Sequence, residues 1–251
     1  MRSIYQEWVH AKNSGRKSLA VLVDPDELRL RHLDRIIEMA QVHKVDYFFV
    51  GGSLVMHDRM DHCLRTLKTS TSIPIILFPG STYQISEYAD AILFMSLISG
   101  RNPELLIGQQ VLAAPILKNS SLEIISTGYM LVDGGSLTSA SYISHTLPIP
   151  ANKPDIAVCT AMAGQMLGLS TLYMDAGSGA IHAISDQMIS AVRENVNVPL
   201  IVGGGIRDPK NLQNKLMAGA DIVVVGNAIE SEPGLISEMT AVVRELNLSF
   251  S

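Results

Sequence analysis

Eight short apolar runs recur along this 251-residue chain, at a mean spacing of about 29 residues. They occupy 19–23, 47–50, 75–78, 91–95, 122–125, 171–174, 200–202 and 222–225. Apart from Glu123 and Thr171, successive residues within the runs are apolar, so neither face of the strand is built to meet water. That pattern belongs to parallel sheets covered on both sides. The spacing is that of a βα unit, and eight such units form a closed (β/α)8 barrel of about 250 residues. We read the fold as a single TIM-barrel domain over 1–251, with a doubly wound open sheet as the alternative. Helical patterns fill the intervals. In 31–43, Leu33, Ile36, Ile37 and Ala40 fall on one face, and Pro103 and Pro154 each stand where a helix opens. Further helices are read over 155–167, 183–194, 208–217 and 233–246.

Two units depart from the period. Between Phe78 and Ala91 there is no room for a loop and a full crossover helix, so the third helix is replaced by a loop or a short turn. A missing helix opens the barrel wall and leaves an apolar groove for a long ligand. Conversely, 133–150 is long and rich in Gly, Ser and Pro, as functional lids and disordered loops are.

Composition narrows the classes. Apolar residues make up 47% of the chain and charged residues 17%, which excludes intrinsic disorder. The net charge of −5 with no basic cluster argues against nucleic acid. No run reaches the length of a membrane span, and the first residues lack the apolar core of a signal peptide. The two cysteines, Cys63 and Cys159, read as buried thiols in helices and suit a reducing cytoplasm.

In this fold the chemistry lies where the strands end. Strands seven and eight end in Gly203-Gly204-Gly205-Ile206-Arg207 and Gly226-Asn227-Ala228. Glycine loops there let backbone N–H groups approach an anion, with a helix start behind each, so a phosphate site is expected. Tight turns alone are the alternative. Strand six runs Tyr173-Met174-Asp175-Ala176-Gly177-Ser178-Gly179. A carboxylate beside two glycines and a serine suits a phosphorylated polyol, and helix capping is the other reading. Asp24, in Asp24-Pro25-Asp26, and Ser53, after Gly51-Gly52, end strands one and two. They can share a hard cation such as Mg²⁺, or Asp24 can cap the next helix. Tyr129 reads more as packing than as a channel wall. The seven histidines show no metal spacing. Other phosphate-binding barrel enzymes, isomerases or lyases, are rivals, although no strand run ends in a Lys for a Schiff base. A non-catalytic binder of phosphorylated lipids is a second rival.

Taken in order, Asp24-Pro25-Asp26, Gly51-Gly52-Ser53, Phe78-Pro79-Gly80, Phe94-Met95-Ser96-Leu97, Arg101-Asn102-Pro103, the 173–180 segment, Val202-Gly203-Gly204-Gly205-Ile206 and Val225-Gly226-Asn227 resemble one family. It is the geranylgeranylglyceryl phosphate synthases, archaeal ether-lipid enzymes with bacterial relatives. The resemblance spans about residues 18 to 230. It implies a modified barrel without a regular third helix, and a prenyltransferase of phospholipid biosynthesis. Such an enzyme joins the C3 hydroxyl of sn-glycerol 1-phosphate to geranylgeranyl diphosphate or a related prenyl diphosphate. It further implies Mg²⁺ on Asp24 and Ser53. Glycerol 1-phosphate would lie on Tyr173, Met174, Asp175, Ala176, Gly177, Ser178, Gly179, Gly204, Gly205, Gly226 and Asn227, with Asp175 as catalytic base. Many archaeal members carry Glu where this chain has Asp175, which retracts the carboxylate by one methylene. A cytoplasmic homo-oligomer with at most transient membrane contact is expected.

Overall fold

Eight parallel strands close on themselves in sequence order, with β8 (Ile222–Val225) returning to pair with β1 (Ser18–Val23). Between them run β2 (Tyr47–Val50), β3 (Ile75–Leu77), β4 (Ala91–Leu97), β5 (Glu123–Leu131), β6 (Thr171–Asp175) and β7 (Leu200–Gly203). The computed structural model describes residues 3–26, 32–52 and 59–249. The closed order settles the choice between barrel and open sheet in favour of the barrel.

Each apolar run serves two cores because side chains alternate along a strand. Phe48 and Val50 of β2, and Leu172 and Met174 of β6, pack outward into the layer beneath the helices. Tyr47, Phe49 and Tyr173 point inward and fill the barrel axis with Ala20, Ile76, Leu93, Ile201 and Ile222. This is why the strands read as unbroken apolar runs rather than as alternation.

The outer layer holds α2 (Leu33–His43), α3 (Met60–Ser70), α4 (Gln109–Lys118), α6 (Pro154–Met166), α7 (Asp186–Asn195), α8 (Pro209–Met217) and α10 (Leu235–Ser249). The short α9 (Asn227–Ser231) follows β8 directly. The third unit holds only the 3₁₀ turn Thr82–Gln84, as its length required. Pro103 opens a π-helical turn, Glu104–Gly108, before α4 begins. The 133–150 segment is not structureless. It carries α5 (Ser139–Ser144), started by a capping box in which Thr138 and Ser141 satisfy each other's backbone N–H. One cysteine reading is corrected. Cys63 is buried in α3, where burial pushes its thiol up to about 12, but Cys159 lies on the solvent face of α6.

An N-terminal helix, α1 (Ile4–Asn13), closes the bottom of the barrel. Its Ile4 and Trp8 join the inner core, and Trp8 packs edge-on to Tyr47 at 5.8 Å. Glu123, at the start of β5, accepts from the N–H groups of Ile4 (2.6 Å) and Tyr5 (3.0 Å) and from the Ser3 hydroxyl (2.6 Å). A carboxylate satisfies the open donors there and complements the helix dipole. With the bottom plugged, the strand C-termini form the open end. Trp8→Ala should cost about 3–5 kcal/mol by emptying that plug. Urea denaturation followed by far-ultraviolet circular dichroism measures it, since the variant loses the chain's single tryptophan.

Candidate active site

β6 delivers the central groups. Tyr173 and Asp175 both point into the barrel, while Met174 between them is packed outward and Ala176 joins the same outer layer. The neighbouring strand places Tyr129 opposite Tyr173 in register. Phe78, just past β3, stacks on Tyr173 at 5.0 Å between ring centroids, and Tyr129 stands edge-on to Tyr173 at 5.6 Å. Tyr129 therefore does more than pack, which corrects the reading from sequence. Its hydroxyl donates to Asp175 Oδ2 at 2.6 Å.

Asp175 is 7% exposed. Its other oxygen, Oδ1, accepts from the Gly177 N–H at 2.8 Å. Burial pushes its pKa above the ordinary carboxylate value, while the two hydrogen bonds pull it back part of the way. Burial, reinforced by the Asp175 charge, raises both Tyr129 and Tyr173 well above a normal phenol. Both hydroxyls stay protonated, and Tyr129 acts as a donor.

The glycine loops wrap this carboxylate. Gly204 and Gly205 both have positive φ, +82° and +71°, which L residues rarely adopt. A Cβ on Gly204 would stand 2.7 Å from both Asp175 Oδ1 and the Ala176 N. The loops after β6 and β7 can meet backbone to backbone only because that atom is absent. Ser178 donates across to the Asn227 side-chain oxygen at 3.3 Å, tying the β6 loop to the β8 loop. Gly177, Ser178, Gly179, Gly204, Gly205, Gly226 and Asn227 thus line one polar cavity with Asp175 at its base. One expectation needs adjustment. α9 starts at this cavity, but α8 starts beyond it, and its Asp208 cap accepts from Asn211 N at 2.8 Å. What lines the cavity on the β7 side is the Gly204-Gly205 loop rather than a helix end.

Asp24 lines the same cavity, and its carboxylate lies against the Cα face of Gly52, within about 3.3 Å of where a Cβ would be. Ser53 lies outside the described residues. Among the described residues no group of three or more His, Cys, Asp or Glu side chains forms a metal cage. Glu230, on α9, was not singled out from the sequence. It borders the cavity, and its Oε1 accepts from the Asp24 N–H at 3.3 Å. Its position three residues after Asn227, one helical turn away, was the available signal. Gln84 is a second such residue. Its amide bonds the Gly52 N and O and the Gly80 N, pinning the β2 and β3 loops together.

A second cavity opens through the wall where the third helix is missing. Phe94, Met95, Leu105, Ala113, Leu117, Leu131 and Ile143 line it, and its walls are mostly apolar. The two cavities share Gly52 and Phe78, and Tyr129 faces the apolar one while holding Asp175 in the polar one. The Asp175 carboxylate in the more polar cavity is therefore separated from the apolar one by the Tyr129 ring that bonds it.

Residues 12–245 match the model of the PcrB family. The geranylgeranylglyceryl phosphate synthase of Chitinophaga pinensis is 55% identical over 240 residues, covering 96% of this chain and 95% of that protein. That of the archaeon Thermococcus gammatolerans is 41% identical, over 96% of this chain and 95% of its own. The crystal structure of (S)-3-O-geranylgeranylglyceryl phosphate synthase from Thermoplasma acidophilum, in complex with sn-glycerol-1-phosphate, superposes with a TM-score of 0.90 at 30% identity, covering 98% of this chain and all of that one. The chain belongs to the PcrB family and, within it, groups with the geranylgeranylglyceryl phosphate synthases.

Proposed function

We propose that this protein is a prenyltransferase that alkylates the C3 hydroxyl of sn-glycerol 1-phosphate with geranylgeranyl diphosphate or a related prenyl diphosphate. The observation that carries this reading is the position of Asp175, hydrogen-bonded by Tyr129 at the junction of a glycine-lined polar cavity and an apolar channel. An acceptor held by its phosphate on the glycine loops presents its hydroxyl to the carboxylate, and the prenyl chain enters along the channel. The C3 oxygen attacks C1 of the donor, and a C–O ether bond forms. The bond from C1 to the diphosphate oxygen breaks with its electron pair, and Asp175 takes the hydroxyl proton. Holding the C3 oxygen in line with C1 and the departing diphosphate oxygen supplies much of the acceleration, and the aromatic walls of Phe78, Tyr129 and Tyr173 exclude water from the reacting carbon.

The residues present fit a magnesium ion. Asp24 offers hard oxygen donors at the cavity edge, which suits an ion that keeps several waters and binds phosphate oxygens. We assign Asp24 and Ser53 as its protein ligands. When bound, Mg²⁺ neutralises the charge that develops on the departing diphosphate. Self-association is also part of the proposal. Val111, Leu112 and Ile116 of α4 and Met166 and Leu167 at the end of α6 are all more than half exposed, which suits burial against another copy. Among the described residues no helix is long and apolar enough to cross a membrane. We assign the protein to the cytoplasm, where its unpaired cysteines would stay reduced.

Labelled sn-glycerol 1-phosphate incubated with prenyl diphosphates of different length should yield an extractable prenylglyceryl phosphate; no lipid product with any donor refutes the assignment. A chelator should abolish that product and added Mg²⁺ restore it, and Asp24→Ala should lower turnover about 100-fold or more. Asp175→Ala should cost about 10²- to 10⁴-fold, the usual range for a general base. The pH profile carries a sign. A base works ionised, so a raised pKa places the acid limb of kcat/KM above that of an ordinary aspartate. Tyr129→Phe removes a bond that holds this pKa down, and should move the limb to still higher pH.

A further inference from the structure

Arg207 stands on the loop after β7, beside the buried Ile206, at the border of the polar cavity. Among the described residues lining that cavity it is the one basic side chain. The carboxylates of Asp24, Asp175, Glu230 and Glu232 line the same space. Such a cavity repels anions unless cationic charge is brought to bear on them. Yet a phosphate monoester carries close to two negative charges at neutral pH. Loop N–H groups contribute only partial charges. A guanidinium remains charged at every working pH and offers five N–H donors in a planar fork. One of these, on Nη2, already reaches the Ala180 carbonyl at 2.9 Å. That bond ties the exposed Arg207 side chain, on the loop after β7, to the end of the β6 glycine loop, and those two loops are the segments assigned above to the phosphate.

We infer that Arg207 is a phosphate-binding residue: its guanidinium, tied to the Ala180 carbonyl at the end of the β6 glycine loop, supplies the counter-charge for glycerol 1-phosphate. The inference rests on the proposed function, since it takes the ligand of the glycine loops to be a phosphate monoester. It assigns to Arg207 the selection of a charged acceptor over free glycerol. A purely structural strap between the two loops is the competing role.

The test separates charge from strap. R207Q removes the charge together with the reach to the Ala180 carbonyl, because its amide nitrogen stands where the arginine's Nε does; R207K keeps the charge without the fork. Calorimetric titration of sn-glycerol 1-phosphate into the full-length protein should show Kd raised about 10- to 100-fold in R207Q and by less in R207K. The dependence of Kd on salt should flatten in R207Q, and Tm should stay close to the parent's. R207Q binding as tightly as the parent overturns the inference. So does equal weakening in both variants with a fall in Tm, which would mark a strap. If the parent protein binds no sn-glycerol 1-phosphate, the proposed function itself fails and the inference with it. Parent binding that survives R207Q unchanged removes only the role of Arg207.

Discussion

Burying the Asp175 carboxylate at the top of a barrel costs free energy, and the surrounding structure is arranged around limiting that cost. One oxygen accepts from the Tyr129 hydroxyl, the other from the Gly177 N–H. The first contact requires β5 and β6 to stay in register, which sets Tyr129 opposite Tyr173 and two residue pairs short of Asp175. The second requires the chain to turn sharply after β6. That turn leaves no room for a side chain at Gly204, whose Cβ would press on the same carboxylate. The glycine loop after β7 is thus fixed partly by the carboxylate it neighbours. The residual desolvation raises the pKa of Asp175 above the ordinary carboxylate value, the direction that the proposed base role favours.

The second constraint is the missing third helix. A regular βα unit would cover β3 and β4 with apolar side chains and close the wall there. With only the turn Thr82–Gln84 in its place, the side chains that would have packed against a helix line a channel instead. Gln84 takes over part of the lost helix's role by holding the β2 and β3 loops together through its amide. The polar cavity and the apolar channel meet at Phe78, so a molecule with a charged head and a molecule with a long tail can be brought together there. At the opposite end α1 and Trp8 seal the barrel, which leaves one open face for chemistry.

The barrel was legible because unbroken apolar runs at a regular spacing admit few architectures, and the short third unit was a matter of length. The glycine loops and Asp175 were legible because a strand end in such a barrel is where function collects. The role of Tyr129 is not legible in the sequence, since nothing local in Gly128-Tyr129-Met130 says which way the ring points. That depends on the register between β5 and β6, a relation between residues 46 positions apart. Glu230 and Gln84 escaped for the same reason: each acts through a partner on a distant strand end. The helix inside 133–150 was masked by serine and glycine, which read as loop although Thr138 and Ser141 cap a short helix there. Cys159 failed because helical periodicity in α6 is weak, with small residues on several faces, and the buried side could not be told from the exposed one.

The most direct test is a crystal structure of the protein with sn-glycerol 1-phosphate bound. The phosphate is expected against the Gly204-Gly205 and Gly226-Asn227 loops, with the C3 hydroxyl within hydrogen-bonding distance of Asp175 and facing the mouth of the apolar channel. A phosphate seated elsewhere, or a C3 hydroxyl turned away from Asp175 and the channel, would contradict it.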